Sequence, residues 1–203
     1  MHSISVPSVT GGTASLRVAP FFGTVVYRQT FARNAGRLWT PSSAPLRWSD
    51  GFNAVYTSLD LTVALAERVK RTGATRVEIV VGIARVQIRR VVTQDDQAMG
   101  ALGTSREEVT TEDYTLPQRL GRALFEQGAG AIAVPAAIAA VAEWFPEMRV
   151  ERGLSTLTVA TPRSGTNLVI FPDNRDSSDF RRESERYTCL LQGILVGRAH
   201  QQT

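Results

Sequence analysis

Apolar and polar positions along this chain change their period several times, and each change marks an element. From Gly23 to Thr30 the run "GTVVYRQT" has the β-branched and aromatic content of a short strand. Gly36, Pro41, Ser42, Ser43 and Pro45 break any pattern in the following stretch, which predicts a loop. "NAVYTS" then reads as a buried strand. From Leu61 to Thr72 the period becomes helical, with Leu61, Ala64, Leu65 and Val69 on one face. Either Ser58 or Asp60 caps this helix and Gly73 stops it. Glu67 lies off the apolar stripe, on a second face with Val63.

Residues 75–92 alternate as one long or two short strands, with Gly82 as an expected bulge. Residues 93–113 are polar and read as loop. Thr115 is expected to cap a helix over 117–127 ended by Gly128. "AIAVP" predicts a small buried strand, and "AAIAAVAEWF" a helix stopped by Pro146. "LTVA" and "TNLVIFP" predict two strands around the turn "TPRSG". "PDNRDSSDFRRESER" is charge-dense and reads as a solvated loop, and "YTCLLQGILVG" as a final strand. Residues 1–22, rich in Ser, Thr, Gly and Val, show little periodicity and read as an irregular leader before a domain over 23–203. Strands and helices do not alternate regularly, so the expected class is α+β, a single domain, rather than a doubly wound parallel sheet.

Composition narrows the function classes. The chain has 203 residues, enough for one domain with a sizeable core. Cys189 is the only cysteine, which excludes an internal disulfide and a Cys-rich metal site. The two histidines, His2 and His200, lie near the two ends, which argues against a His-based zinc site or a Ser-His-Asp triad. No basic-then-apolar leader reads as a secretory signal, and the longest apolar stretch, 128–145, is broken by Pro135. The cytoplasm is the default location. The formal charge is +4, and Lys70 is the only lysine among 23 basic residues. Arginine suits phosphate, but no dense basic tract with interleaved aromatics points to nucleic acid.

The common signatures GxxxxGK[ST], GxGxxG after a strand, HExxH and GxSxG are absent. What remains is a spaced polar set: Tyr27-Arg28, Arg47-Trp48, Tyr56-x-Ser58 and Glu67. Ordinary packing accounts for each one alone: an edge arginine, a core tryptophan beside a surface arginine, a core tyrosine, a helix cap and a solvated helix charge.

Together, in this order, Tyr27-Arg28, "LRWSDGFNAVYTS" and "TVALAE" resemble the RES domain family, named for an arginine, a glutamate and a serine. "QRLGRALFEQGAGAIAVPAA" followed by "GTNLVIFPDN" extends the resemblance, more weakly, so that it covers roughly residues 23–174. The resemblance implies a mixed, ADP-ribosyltransferase-like β core flanked by helices. It also implies a toxin of a toxin–antitoxin pair that destroys NAD by hydrolysis or phosphorolysis, or a protein ADP-ribosyltransferase. Its partners would be NAD as substrate, with no required cofactor, and a cognate antitoxin; the oligomeric state stays open. Carried over, the family's arginines are Arg28 and Arg47, its tyrosine Tyr56 and its glutamate Glu67. The family's serine after a proline falls on Ala136, so that hydroxyl is absent. Either Ser58 or another hydroxyl replaces it, or catalysis is altered or lost and the domain only binds a nucleotide or a partner.

The chemistry of such a cleavage assigns roles. Breaking the nicotinamide–ribose bond builds positive charge on the ribose, as in glycoside cleavage, and a fixed carboxylate stabilises it. Glu67 is the candidate, with Arg28 and Tyr56 as the other catalytic positions. Arg28 and Arg47 suit the diphosphate. Tyr56 or Tyr27 suits stacking on the nicotinamide, with Trp48 beside them. Ser58 either hydrogen-bonds the ribose or caps the helix. No metal is required.

Overall fold

The computed structural model describes residues 2–73, 75–174 and 181–195. Its strands in chain order are β1 (His2–Pro7), β2 (Thr13–Phe31), β3 (Val55–Ser58), β4 (Val77–Thr93), β5 (Ala131–Pro135), β6 (Glu147–Arg152), β7 (Ser155–Ala160), β8 (Thr166–Ile170) and β9 (Arg181–Ile194). Its helices are α1 (Leu61–Thr72), α2 (Asp96–Leu102), α3 (Arg106–Thr110), α4 (Thr115–Glu126) and α5 (Ala139–Trp144). The nine strands form one mixed sheet in the order β1-β2-β3-β8-β5-β4-β9-β6-β7. The class is the expected α+β.

A further pairing, β2 with β4, makes β2, β3, β8, β5 and β4 close on one another as a ring. Side chains alternate across a strand, so the ring sorts its residues into two sets. Val26, Val55, Val86, Ala131, Ala133, Leu168 and Ile170 belong to one buried cluster, which fills the inside. The residues between them face outward. Ile132, Val134 and Val169 join Trp48, Phe52, Leu120 and Leu124 under α2 to α4. A third cluster packs α1 and α5 on β4, β6 and β9.

The leader expectation is corrected: residues 2–7 and 13–22 are strand, and β1 pairs antiparallel with β2 from His2↔Val18 to Pro7↔Thr13. Ile4, Val6, Leu16 and Val18 are all buried in the first cluster, while the Ser, Thr and Arg between them face solvent. The alternation is there, but the polar half dilutes it. The 93–113 loop is likewise corrected to α2 and α3. Asp95 caps α2, and Ser105 and Glu108 form a reciprocal capping box on α3. A strand not expected, β6, pairs with β7 and β9. The charge-dense segment after Pro172 is in part strand, since β9 begins at Arg181; its residues 175–180 lie outside the described residues.

Gly82 is not a bulge. It stays in register with Arg28 and Arg186, and the register shift falls one residue later, between Ile83 and Ala84. A Cβ there would come within 2.5 Å of Leu38, so the glycine admits Leu38 and Trp39 against the sheet. Thr115 is the first residue of α4 rather than its cap; the Asp113 carboxylate accepts from its N–H.

Candidate active site

The outward alternation that builds the core also builds a polar row. Tyr27 of β2 pairs with Ser58 of β3, Ser58 with Asn167 of β8, and Asn167 with Val134 of β5. The chain leaves β3 at Ser58 and turns directly into α1. Asp60 caps that helix, accepting from Thr62 N at 2.6 Å and from Val63 N at 3.4 Å, and Gly73 closes it in the left-handed region. Ser58 is thereby free of the capping role. Its Oγ donates to Asn167 Oδ1 at 2.7 Å, and Asn167 Nδ2 donates to Glu67 Oε1 at 3.1 Å. Two side chains from two strands thus hold the carboxylate of a helix residue in place.

Glu67 stands at the junction of two lobes of a cleft. One lobe, about 140 Å³, includes Tyr27, Arg28, Ser58 and Arg68 in its lining. The other, about 220 Å³, includes Arg47, Lys70, Glu112, Tyr114 and Pro135. Leu46, Tyr56, Glu67, Arg71 and Asn167 line both. Glu67 and Arg71 are one turn apart on α1, so the weaker face of that helix is the cleft wall.

The cations around Glu67 are engaged to different degrees. Arg28 donates to the Thr40 carbonyl at 3.3 Å. Arg47 donates to the carbonyls of Val109 and Thr111 and lies 4.5 Å from the Tyr114 ring centroid, so it ties the α3–α4 connection to the cleft. Lys70 pairs with Glu112 at 2.8 Å and holds its carboxyl below the usual range. Arg68 is only 7% exposed, bonds Gln29 at 2.6 Å and lies over Phe31. Burial, and then the like charge of Arg71, brings its pKa down to about 10. Arg71 is exposed and makes no hydrogen bond or ion pair within the described residues.

Tyr56 is fixed by its hydroxyl. It accepts from the Trp48 N–H at 2.7 Å and contacts Ser49 Oγ at 3.1 Å. Burial pushes its pKa up to about 12, against the opposing effects of those bonds and of the charges on Arg47 and Arg71. The hydroxyl is therefore a neutral anchor, and the ring is a rigid wall of both lobes. Trp48 borders the second lobe but is 1% exposed and belongs to the core, so it offers a ligand little surface. All seven residues singled out from the sequence border one cleft. Asn167, Gln29, Arg68, Lys70, Arg71, Glu112 and Tyr114 were not singled out there. Asn167 had a signal, the Asn-Leu start of a strand; the others have none short of the folded cleft.

The RES domain family matches this chain over residues 25–191, which includes every residue of the cleft described above. The chain belongs to the RES domain family. A search of curated proteins returns no match for this RES domain. Among solved structures it is similar to a chain in the crystal structure of the M. tuberculosis MbcT–MbcA toxin–antitoxin complex. The identity is 15%, the TM-score is 0.58, and the match covers 91% of this chain and 86% of that one. At that identity the likeness is one of fold.

The RES domain's departure at Ala136 has a structural context. Ala136 is 7% exposed and belongs to the apolar cluster with Val63, Ile138 and Val141. Pro135 and Ala137, on either side of it, line the second lobe, whereas Ala136 lines neither. Among the hydroxyls that line the cleft, that of Ser58 bonds Asn167, which in turn bonds Glu67.

Proposed function

We propose that this RES domain consumes NAD by cleaving the bond between nicotinamide and ribose. The observation that carries the reading is the Glu67 carboxylate, oriented by Asn167 and Ser58 at the junction of two lobes bordered by arginines. As the C1′–N bond breaks, its electron pair neutralises the pyridinium nitrogen, so nicotinamide leaves without a proton donor. Positive charge then builds on the ribose, where Glu67 offers the opposite charge. Water attacking C1′ gives ADP-ribose and a proton; phosphate gives ADP-ribose 1″-phosphate. An acceptor group on a protein gives an ADP-ribosylated protein. The Tyr56 ring provides a flat wall for the nicotinamide, and cationic side chains balance the diphosphate.

The placement of Ala136 away from both lobes supports turnover over a merely binding role, because the polar chain to Glu67 does not pass through it. The test is incubation of the pure protein with NAD, with and without phosphate, followed by chromatography of the products. Loss of NAD in the wild type and not in Glu67→Ala supports the reading. Product identity selects water, phosphate or protein as acceptor. NAD bound but unchanged overturns it in favour of a binding domain.

The solved relative is described as a toxin–antitoxin complex, and a cognate antitoxin is the partner we propose for this chain as well. Expression of the chain alone then arrests growth, and co-expression of the neighbouring gene relieves the arrest. Growth unaffected by an active enzyme contradicts the toxin reading.

A further inference from the structure

Within the proposed reading of the cleft as an NAD site, we infer that Arg71, rather than Arg47, is the cation that takes the diphosphate. Four observations converge on it. The guanidinium of Arg47 donates to the carbonyls of Val109 and Thr111 and stacks on Tyr114, so its donors already serve the fold. Lys70 is neutralised by Glu112 and also donates to the Ala137 carbonyl at 3.2 Å. Arg68 is buried against Phe31 and Gln29. Arg71 alone of these four is exposed and makes no hydrogen bond or ion pair within the described residues.

Its position is the second half of the argument. Arg71 lines both lobes, one turn along α1 from Glu67. Its charge is felt at Tyr56 on one side and Arg68 on the other. A ligand with its scissile ribose at Glu67 and its remainder in either lobe must pass this side chain. A guanidinium without a partner costs little to redirect, and it binds phosphate oxygens through a two-pronged fork. An arginine already bonded to carbonyls would have to release them first. Arg71 is thus a substrate-positioning residue specific to phosphate-bearing ligands.

The test compares ADP-ribose with adenosine, which keeps the base and a ribose but has no phosphate. Both are titrated into wild type, Arg71→Ala and Arg71→Lys by calorimetry or ligand-observed NMR. ADP-ribose binding is expected to weaken on the order of tenfold to hundredfold in Arg71→Ala. Arg71→Lys is expected to recover part of it, and adenosine binding to stay as it was. Weaker dependence of ADP-ribose affinity on salt in Arg71→Ala is the accompanying sign. Because Arg71 is exposed, its removal leaves the core intact, and an unchanged melting temperature checks this. Wild-type affinity for ADP-ribose retained in Arg71→Ala overturns the inference and leaves the NAD reading standing. Failure of the wild type to bind either NAD or ADP-ribose overturns both.

Discussion

At the scale of the residue, the site is a chain of short polar contacts ending on Glu67, and each link has its own expected consequence. Glu67→Gln keeps the shape and the bond from Asn167 but removes the charge. It should lower NAD cleavage on the order of hundredfold to ten-thousandfold, read as kcat. Asn167→Ala frees the carboxylate without neutralising it, so kcat should fall more than KM rises, and Asn167→Gln should not restore the geometry. Tyr56 makes a different kind of prediction. Its phenol has a folded pKa of about 12 against an ordinary value near 10, so ionisation is easier in the unfolded chain. The associated stability is complete below about pH 10 and is lost as pH rises toward 12. Urea unfolding at pH 8 and pH 11 should show less alkaline loss in Tyr56→Phe than in wild type. At pH 8 the same variant should be less stable by about 1–3 kcal/mol, because the Trp48 N–H and Ser49 hydroxyl lose their partner. Glu67 was legible in the sequence through its place in the order Tyr27-Arg28, Tyr56-x-Ser58, Glu67, and it lies off the apolar stripe of its helix. Asn167 was not legible as its partner, because 100 residues separate the two and only the β3–β8 pairing brings them together.

At the scale of the element, α1 is the part that sets the site, and its local rules were readable: Asp60 before it, Gly73 after it, an apolar stripe between. What seats it was not readable. The turn before β8 passes so close that a Cβ on Gly165 would lie 2.2 Å from Val63 Cγ2. Gly165→Ala should therefore push α1 outward and carry Glu67 away from Asn167, lowering kcat while the protein stays folded, as checked by activity beside circular dichroism. A similar contact seats α4, where a Cβ on Gly121 would meet the Trp48 carbonyl at 2.1 Å. Backbone cannot yield there as a side-chain tip can, so Gly121→Ala should be the more damaging to stability. Asp60→Ala removes the cap alone and should cost about 1 kcal/mol. The short helices α2 and α3 escaped the periodicity because seven and five residues are too few to show it. The Ser105-x-x-Glu108 capping box was the signal available for α3.

At the scale of the whole molecule, the closed ring of β2, β3, β8, β5 and β4 explains why the site lies where it does. One face of these strands fills the ring, so the polar residues at Tyr27, Ser58 and Asn167 are left on the other face, under α1. The N-terminal hairpin belongs to this plan rather than preceding it. Removing Ile4, Val6, Leu16 and Val18 from the core forfeits about 1.5–3 kcal/mol of burial each, a loss comparable with the whole net stability of about 5–15 kcal/mol that a domain has. A chain starting at Gly23 should therefore fail to fold, seen as loss of the cooperative thermal transition. The central claim is that Glu67, held by Asn167 and Ser58, makes this RES domain an NAD-cleaving enzyme. It is tested most directly by following NAD and its products by chromatography with wild type and Glu67→Gln side by side. Nicotinamide released by the wild type and not by the variant is the predicted result; NAD left equally intact by both, with and without phosphate, contradicts it.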